Sequence, residues 1–435
     1  MIRSFPMLLL CAVAAVNATA STFTVTYTDQ DLGDIDPGDG ECAWATFPPP
    51  ELRCTLRAAI MEANALAGTD IIIVPFGAHI VLDNLGRNDD GGGLGDLDIT
   101  APLTIMTPFV DTRSRATIDA NGIDRVFDIR FGAGNVTLSN LTITNGLADD
   151  ATTVQGGGIR ADGTGLLNVE FCELVSNVAN AGGAIAIGTA SGRSLLVHDS
   201  AIHANGVFDV GFTNPYGSAI KDSDSAPAAG AAITIRHSTI SANLAFGTTA
   251  GAAVQVSTPL LIENSTFSFN APGAIRVHAT NATLNHVTVT GSQTGYVFSG
   301  NMLANSSSLR NTIIAGDSVN DCEFYGSYSY SHSYTLDSDG TCLLGGFGVG
   351  NLPLTDPMLK PLALLYGNTP VHDLNAGSPA IDHGDVAMQG SGGSCLSRDQ
   401  DARPRPIDGD GGGARCDMGA VEFNETIFAD GFEYL

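Results

Sequence analysis

His198, Arg236 and Glu263 hold equivalent outward places in successive repeats of this 435-residue chain. On stacked parallel strands such neighbours lie about 5 Å apart. An Arg flanked by an imidazole and a carboxylate has the makings of a polysaccharide lyase site. There a cationic base removes a proton while a carboxylate cluster holds Ca²⁺ beside the sugar acid. The wider row reads Ser139, Glu170, His198, Arg236, Glu263, Asn285 and Arg310. Its plainer reading, and the expected one, is a solvated ladder of alternating charges.

A glycoside hydrolase would instead need two carboxylates at a set separation. Asp89-Asp90 and Asp149-Asp150 are adjacent pairs in loops. Neighbouring residues on a strand face opposite ways, so these pairs read as solvated turns. His383 sits in a C-terminal motif away from any strand face, and no Gly-x-Ser-x-Gly supports Ser/His/Asp chemistry. Acidic loops offer a second kind of site. Asp34 and Asp36 (with Asp29, Asp31 and Asp39), Asp337 and Asp339, and Asp408 and Asp410 (with Asp399 and Asp401) are candidate Ca²⁺ ligands. None has EF-hand spacing, so the expectation beside calcium is solubilising charge.

The elements that must position these residues are short strands. From 136 to 317 one pattern recurs: VTLSNLTITNG, LNVEFCELVSN, LLVHDSAIHAN, ITIRHSTISAN, LLIENSTFSFN, ATLNHVTVTGS and SSLRNTIIAGD. Apolar residues alternate with outward ones, with Leu138, Val169, Val197, Ile235, Ile262, Leu284 and Leu309 pointing inward. A bend follows at Asn140, Phe171, Asp199, His237, Asn264, His286 and Asn311, where left-handed backbone is expected. Cys172 then falls at a small inward position and reads as a buried free thiol. A period of two excludes helical solenoids. Variable spacing between fixed motifs means a coil of parallel strands with loops of differing length. The fold class is therefore all-β, a right-handed parallel β-helix with a short N-terminal capping helix.

Composition narrows the partners. The chain has 46 acidic and 19 basic residues, a net charge of −27. Such a chain has little phosphate-neutralising surface, so nucleic acid and anionic membrane are disfavoured. At 43% hydrophobic residues it is not a disordered chain. Residues 1–20 read as a signal peptide, with Arg3, the apolar run 7–16 and Ala18-Thr19-Ala20 before the cleavage point. Leu10 before Cys11 argues against a lipoprotein. No later apolar stretch is long enough to span a bilayer. Proximity pairs Cys42–Cys54, Cys322–Cys342 and Cys395–Cys416 as disulfides, as an oxidising compartment allows. The absence of CxxC argues against zinc.

Several motifs carry resemblances. Gly182-Gly183-Ala184-Ile185 and its relatives at 156–159 and 273–275, with Phe267-x-x-Asn270, resemble the repeats of polymorphic outer-membrane proteins. Cys54-Thr55-Leu56-Arg57-Ala58-Ala59, between FTVTYTDQD and IIIVP, resembles the CSLREA domain of bacterial secreted proteins. Thr for Ser and Ala for Glu depart from that family's core. Ser378-Pro379-Ala380-Ile381-Asp382 and Cys416-Asp417-Met418-Gly419-Ala420-Val421-Glu422 resemble the choice-of-anchor Q region. These resemblances imply a protein secreted by, or displayed on the outer surface of, a Gram-negative-type bacterium, and bring no shared activity. The organisation expected is signal peptide 1–20, CSLREA-like cap 21–75, β-helix 76–320, C-terminal rungs and choice-of-anchor Q-like region 321–423, and tail 424–435.

Three functions compete. A non-catalytic binding or adhesion protein leads, with polysaccharide or a cell-surface glycan as its partner and the Thr239, Thr266 and Thr288 face as its contact surface. A polysaccharide lyase or glycoside hydrolase working in a groove along the coil is the alternative. A structural spacer is the third.

Overall fold

The computed structural model describes residues 19–43, 53–87, 89–109, 115–149, 155–208, 217–223, 226–246, 251–278, 280–299, 307–325, 330–343, 348–388, 390–409 and 411–424. Alternating apolar residues cannot bury one face alone, so each coil of chain stacks on the last. One coil runs Ile159–Ala161, Gly165–Glu170, Glu173–Val175 and Val178–Ala179. The next runs Ile185–Ile187, Arg193–His198, Ala201–His203 and Gly206–Phe208, each strand parallel to its predecessor and in register with it. Among the described residues this builds sheets of eighteen, nine and four strands. The largest is folded lengthwise at the expected bend.

That bend explains the repeat. Asn140, Phe171, Asp199, His237, Asn264, His286 and Asn311 all take φ between 44° and 55°. One left-handed residue turns the strand while leaving the inward positions on either side in phase. Leu138, Val169, Val197, Ile235, Ile262, Leu284 and Leu309 are buried beside it. Just after the bend a stack of small residues faces inward. Ser200, Ser238 and Ser265 accept the amides of Cys172, Ser200 and Ser238 at 3.0–3.3 Å. Cys172 is buried and free, and burial pushes its thiol up to about 12.

A second left-handed corner at Ser176, Ala204, Ala242 and Phe269 precedes an internal asparagine ladder. The Nδ2 atoms of Asn177, Asn205 and Asn243 donate to Oδ1 of Asn205, Asn243 and Asn270, each at 3.0 Å. The same amides cap carbonyls of the preceding coil. Gly183 follows this corner because a Cβ there would lie 2.4 Å from the Ser218 carbonyl. That close approach, with φ of 64° at Gly182, accounts for the paired glycines ahead of Ile185–Ile187.

The N-terminal edge is closed by Thr22–Thr24, paired with Asp70–Ile73, and by the helix Leu56–Ala65. Thr55 caps the helix by accepting the Ala58 amide. Leu56, Ile60 and Ala63 are buried, as the helical spacing predicts. Arg57 points the other way yet is equally buried. It pairs with Asp31 through Nε and Nη2 at 2.7 and 2.8 Å and donates to the carbonyls of Gly92, Gly95 and Asp96. One guanidinium therefore ties the helix to both flanking loops.

Asn205→Ala leaves the main-chain amide of Asn177 and one of its two side-chain N–H donors without an acceptor inside the coil. It should lower stability by about 3 kcal/mol, read as a denaturant midpoint. Asn168→Ala, on the outer face of the same sheet, should cost under about 1 kcal/mol.

Candidate functional site

Strand register places the expected charged ladder as the repeat implies: Glu170, His198, Arg236, Glu263, Asn285 and Arg310 are successive cross-strand partners. The three reactive candidates do not act as one group. Arg236 Nε donates to Glu263 at 2.8 Å, with the Arg side chain 44% exposed. His198 turns the other way, its ring nitrogens 3.0 Å from Asp199 and from Glu170. Those carboxylates, Asp199 first, hold the imidazole pKa above its usual value. A base must be neutral to take a proton, so this environment works against His198 and leaves Arg236 in an ordinary surface pair.

The threonine face has a different fate. Thr239, Thr266 and Thr288 are buried, because the described residues of 355–423 fold back over them as a strap. Gln400 is the central tether. Its Oε1 accepts the Thr266 hydroxyl at 2.7 Å, and its Nε2 donates to Thr239 and Thr369 at 2.9 and 2.8 Å. His372 Nε2 meets Ser268 at 2.8 Å, and Thr288 accepts the Ala420 amide at 2.9 Å. Farther along, Leu336, Leu374, Ile381, Met418 and Phe423 form a second apolar core. The ladder expected to contact a partner instead holds the chain's own end.

Where the strap stops, a cleft of about 290 Å³ remains. Arg115, Glu173, Ala201, His203, Thr239 and Ser241 line it from the coil, and Leu364, Asn368 and Pro370 from the strap. His203 Nε2 lies 2.8 Å from Glu173 Oε1, and Arg115 Nη1 lies 3.6 Å from Glu173 Oε2. Arg115 Nε also donates to the Phe171 carbonyl at 2.7 Å. The Phe171 ring stands 5.3 Å from that of exposed Phe109, and neither ring is among the residues that line the cleft. The His203 hydrogen bond, then the charges of His203 and Arg115, outweigh burial and lower the Glu173 pKa. Sequence reasoning missed this group for a definite reason. Register sets Glu173 opposite Ala201 and His203 opposite Val175, so the pair meets on the diagonal.

The proposed calcium loops are occupied by their own backbone. Asp34 accepts the amides of Asp36 and Ala43 at 2.9 Å each, and Asp36 is exposed. Asp408 accepts the Gly411 amide, and Asp410 lies outside the described residues. Asp321, Asp337 and Asp339 do converge, with ligand atoms within 4.8 Å. Yet Asp337 receives Gly340 and Cys342 amides, Asp339 those of Asp321 and Thr341, and Asp321 those of Ser338 and Asp339. Burial raises Asp337 to about 7 and raises Asp321 too. This group folds the loop closed by Cys322–Cys342. That disulfide is present, as are Cys42–Cys54 and Cys395–Cys416.

A family model described as right handed beta helix region matches residues 127–293. The chain folds as a right-handed parallel β-helix. Among solved structures, the crystal structure of pectate lyase Pel9A is similar over 93% of this chain and 97% of its own, at 13% identity and a TM-score of 0.45. No curated protein matches the chain. No helix among the described residues is long and apolar enough to cross a membrane.

Gln400→Ala should free the strap. Proteolysis within 355–423 should speed several-fold while circular dichroism of the coil is unchanged. The pairing at Glu173 gives a pH signature. A carboxylate whose folded pKa is depressed contributes stability above its ordinary value of 4.5, and loses it as pH falls through the folded pKa. Glu173→Gln should therefore lower the melting midpoint at pH 7, and the gap should close below 4.5.

Proposed function

We propose that this protein is an exported, surface-type β-helix that binds a neutral glycan in the cleft at the end of the strap, without cleaving it. The observation that carries this reading is the cleft's chemistry. Among the described residues, hydroxyl, amide, imidazole, guanidinium and a single carboxylate converge there beside the apolar Ala201, Leu364 and Pro370. A sugar ring offers hydroxyls to the first set and an apolar face to the second. A hydrolase needs a second carboxylate, and among the described residues none besides Glu173 lines this cleft. A uronate would meet an Arg115 already shared between Glu173 and Phe171, within a chain of net charge −27. The signal-peptide pattern of residues 1–20, the disulfides and the CSLREA-like and choice-of-anchor Q-like motifs support placement outside a Gram-negative-type cell.

One observation favours a second reading. The Glu173–His203 contact at 2.8 Å is the arrangement in which a carboxylate orients an imidazole base. A lyase built on it would use His203 for proton abstraction, with Arg115 facing the substrate.

A screen of neutral and acidic polysaccharides on the purified chain, following binding and new chain ends together, decides between them. Binding of a neutral glycan should weaken at least roughly tenfold in Glu173→Gln and His203→Ala, and stay unchanged in Arg236→Ala. New chain ends that vanish in His203→Ala would replace this reading by the lyase. Silence in both channels would leave the spacer.

A further inference from the structure

A second cleft, also of about 290 Å³, lies at the N-terminal end of the coil. Pro37, Met61, Asn64 and Ala65 wall it on one side, and Asp90, Gly91, Gly92, Asp98 and Thr100 on the other. Asp98 sits on the strand Leu97–Ile99, beneath the capping helix, and is only 3% exposed. Neither of its carboxylate oxygens has a hydrogen-bond partner. The Gly92 amide lowers its pKa without reaching hydrogen-bonding geometry. The nearest cation, Arg130 Nη1, stands 3.7 Å from Oδ1 and is engaged by Asp90 and by Asp128 at 2.9 Å. A buried carboxylate left in this state is costly unless something completes it.

The surroundings specify a cation. Asp90, Asp96, Asp98, Asp124, Asp128 and Asp162 face Arg125, Arg130 and Arg160, six carboxylates against three guanidinium groups. Calcium fits poorly. It asks for six to eight oxygens, and among the described residues the carboxylates that converge within 4.8 Å lie elsewhere, at Asp321, Asp337 and Asp339. Arg130 already stands between Asp90, Asp98 and Asp128. The cleft's other wall is apolar at Pro37, Met61 and Ala65, where a methylene stem can lie.

We infer that this cleft binds an alkylammonium group, with the stem against Met61 and Ala65 and the ammonium completing the Asp98 carboxylate. The group is either the side chain of a lysine in a peptide or a free aliphatic diamine. Burial holds Asp98 at about 7, so the ionised form that an ammonium requires is fully present only above that pH.

Titration calorimetry of the whole chain with cadaverine and with Nα-acetyl-lysine amide, at pH 8 and pH 5, tests the inference. Expected are binding at pH 8, at least roughly tenfold weaker binding at pH 5, and loss on ε-acetylation of the lysine probe. Preference for the lysine amide points to a peptide source, and preference for cadaverine to a free diamine. Asp98→Asn should remove binding. Ala65→Trp, at the exposed rim, should block the slot while leaving Asp98 in place, which guards against a variant that merely misfolds. Absence of binding at pH 8, equal binding by the acetylated probe, or binding of calcium alone would overturn the inference.

Discussion

Everything in this molecule depends on repeating one left-handed residue at one register. Side chains on a strand alternate with a period of two, so a slip of a single residue would exchange the inner and outer faces of a whole coil. The bend at Asn140, Phe171, Asp199, His237, Asn264, His286 and Asn311 fixes that register, because one left-handed residue turns the chain while the inward positions on either side stay in phase. The asparagine ladder enforces it from inside. Each amide serves both its neighbour in the ladder and a carbonyl of the preceding coil. An unpaired amide in that interior would be expensive, so slipped coils are penalised beyond their lost contacts. The loops lie outside this constraint, which is why repeat spacing varies while the motif does not.

Parallel stacking leaves edges that would pair with other chains. The two ends use different means. At the first, a short helix and the buried Arg57 pull two loops over the starting coil. At the second, the chain doubles back and binds its own outer face. Asp417 and Glu422 show how. Asp417 accepts the amides of Asp382 and Phe423, while Glu422 accepts Arg405 Nη1 and the Ile407 amide. These acids of the C-terminal motif thus shape the strap, and neither lines either cleft.

The fold was legible because it is written locally. Alternation, the bend residues and the paired glycines each lie within a dozen residues, and the helix is announced by the spacing of Leu56, Ile60 and Ala63. The disulfides were legible because each closes a short loop. The candidate site was not. Arg236 was ranked by its neighbours in one row, but charges in such a row satisfy one another in pairs. The threonine face looked free because its cover lies more than a hundred residues away, as in the Gln400 contacts to Thr239 and Thr266. The Glu173–His203 contact was hidden by its diagonal geometry, which a row-by-row alignment does not display.

The strap also decides where chemistry can occur. A β-helix presents long regular faces, and a regular face is a poor binding site because it is flat and its polar groups pair along the ladder. Concavity has to come from something laid across the coils. Here it arises where the strap ends at Leu364, Asn368 and Pro370, and where the capping helix overhangs the strand at Asp98. Both clefts thus lie at the margins of the parts that protect the coil. The need to cover strand edges and outer ladders, a requirement of stability, has in this chain produced the places where a ligand can be enclosed.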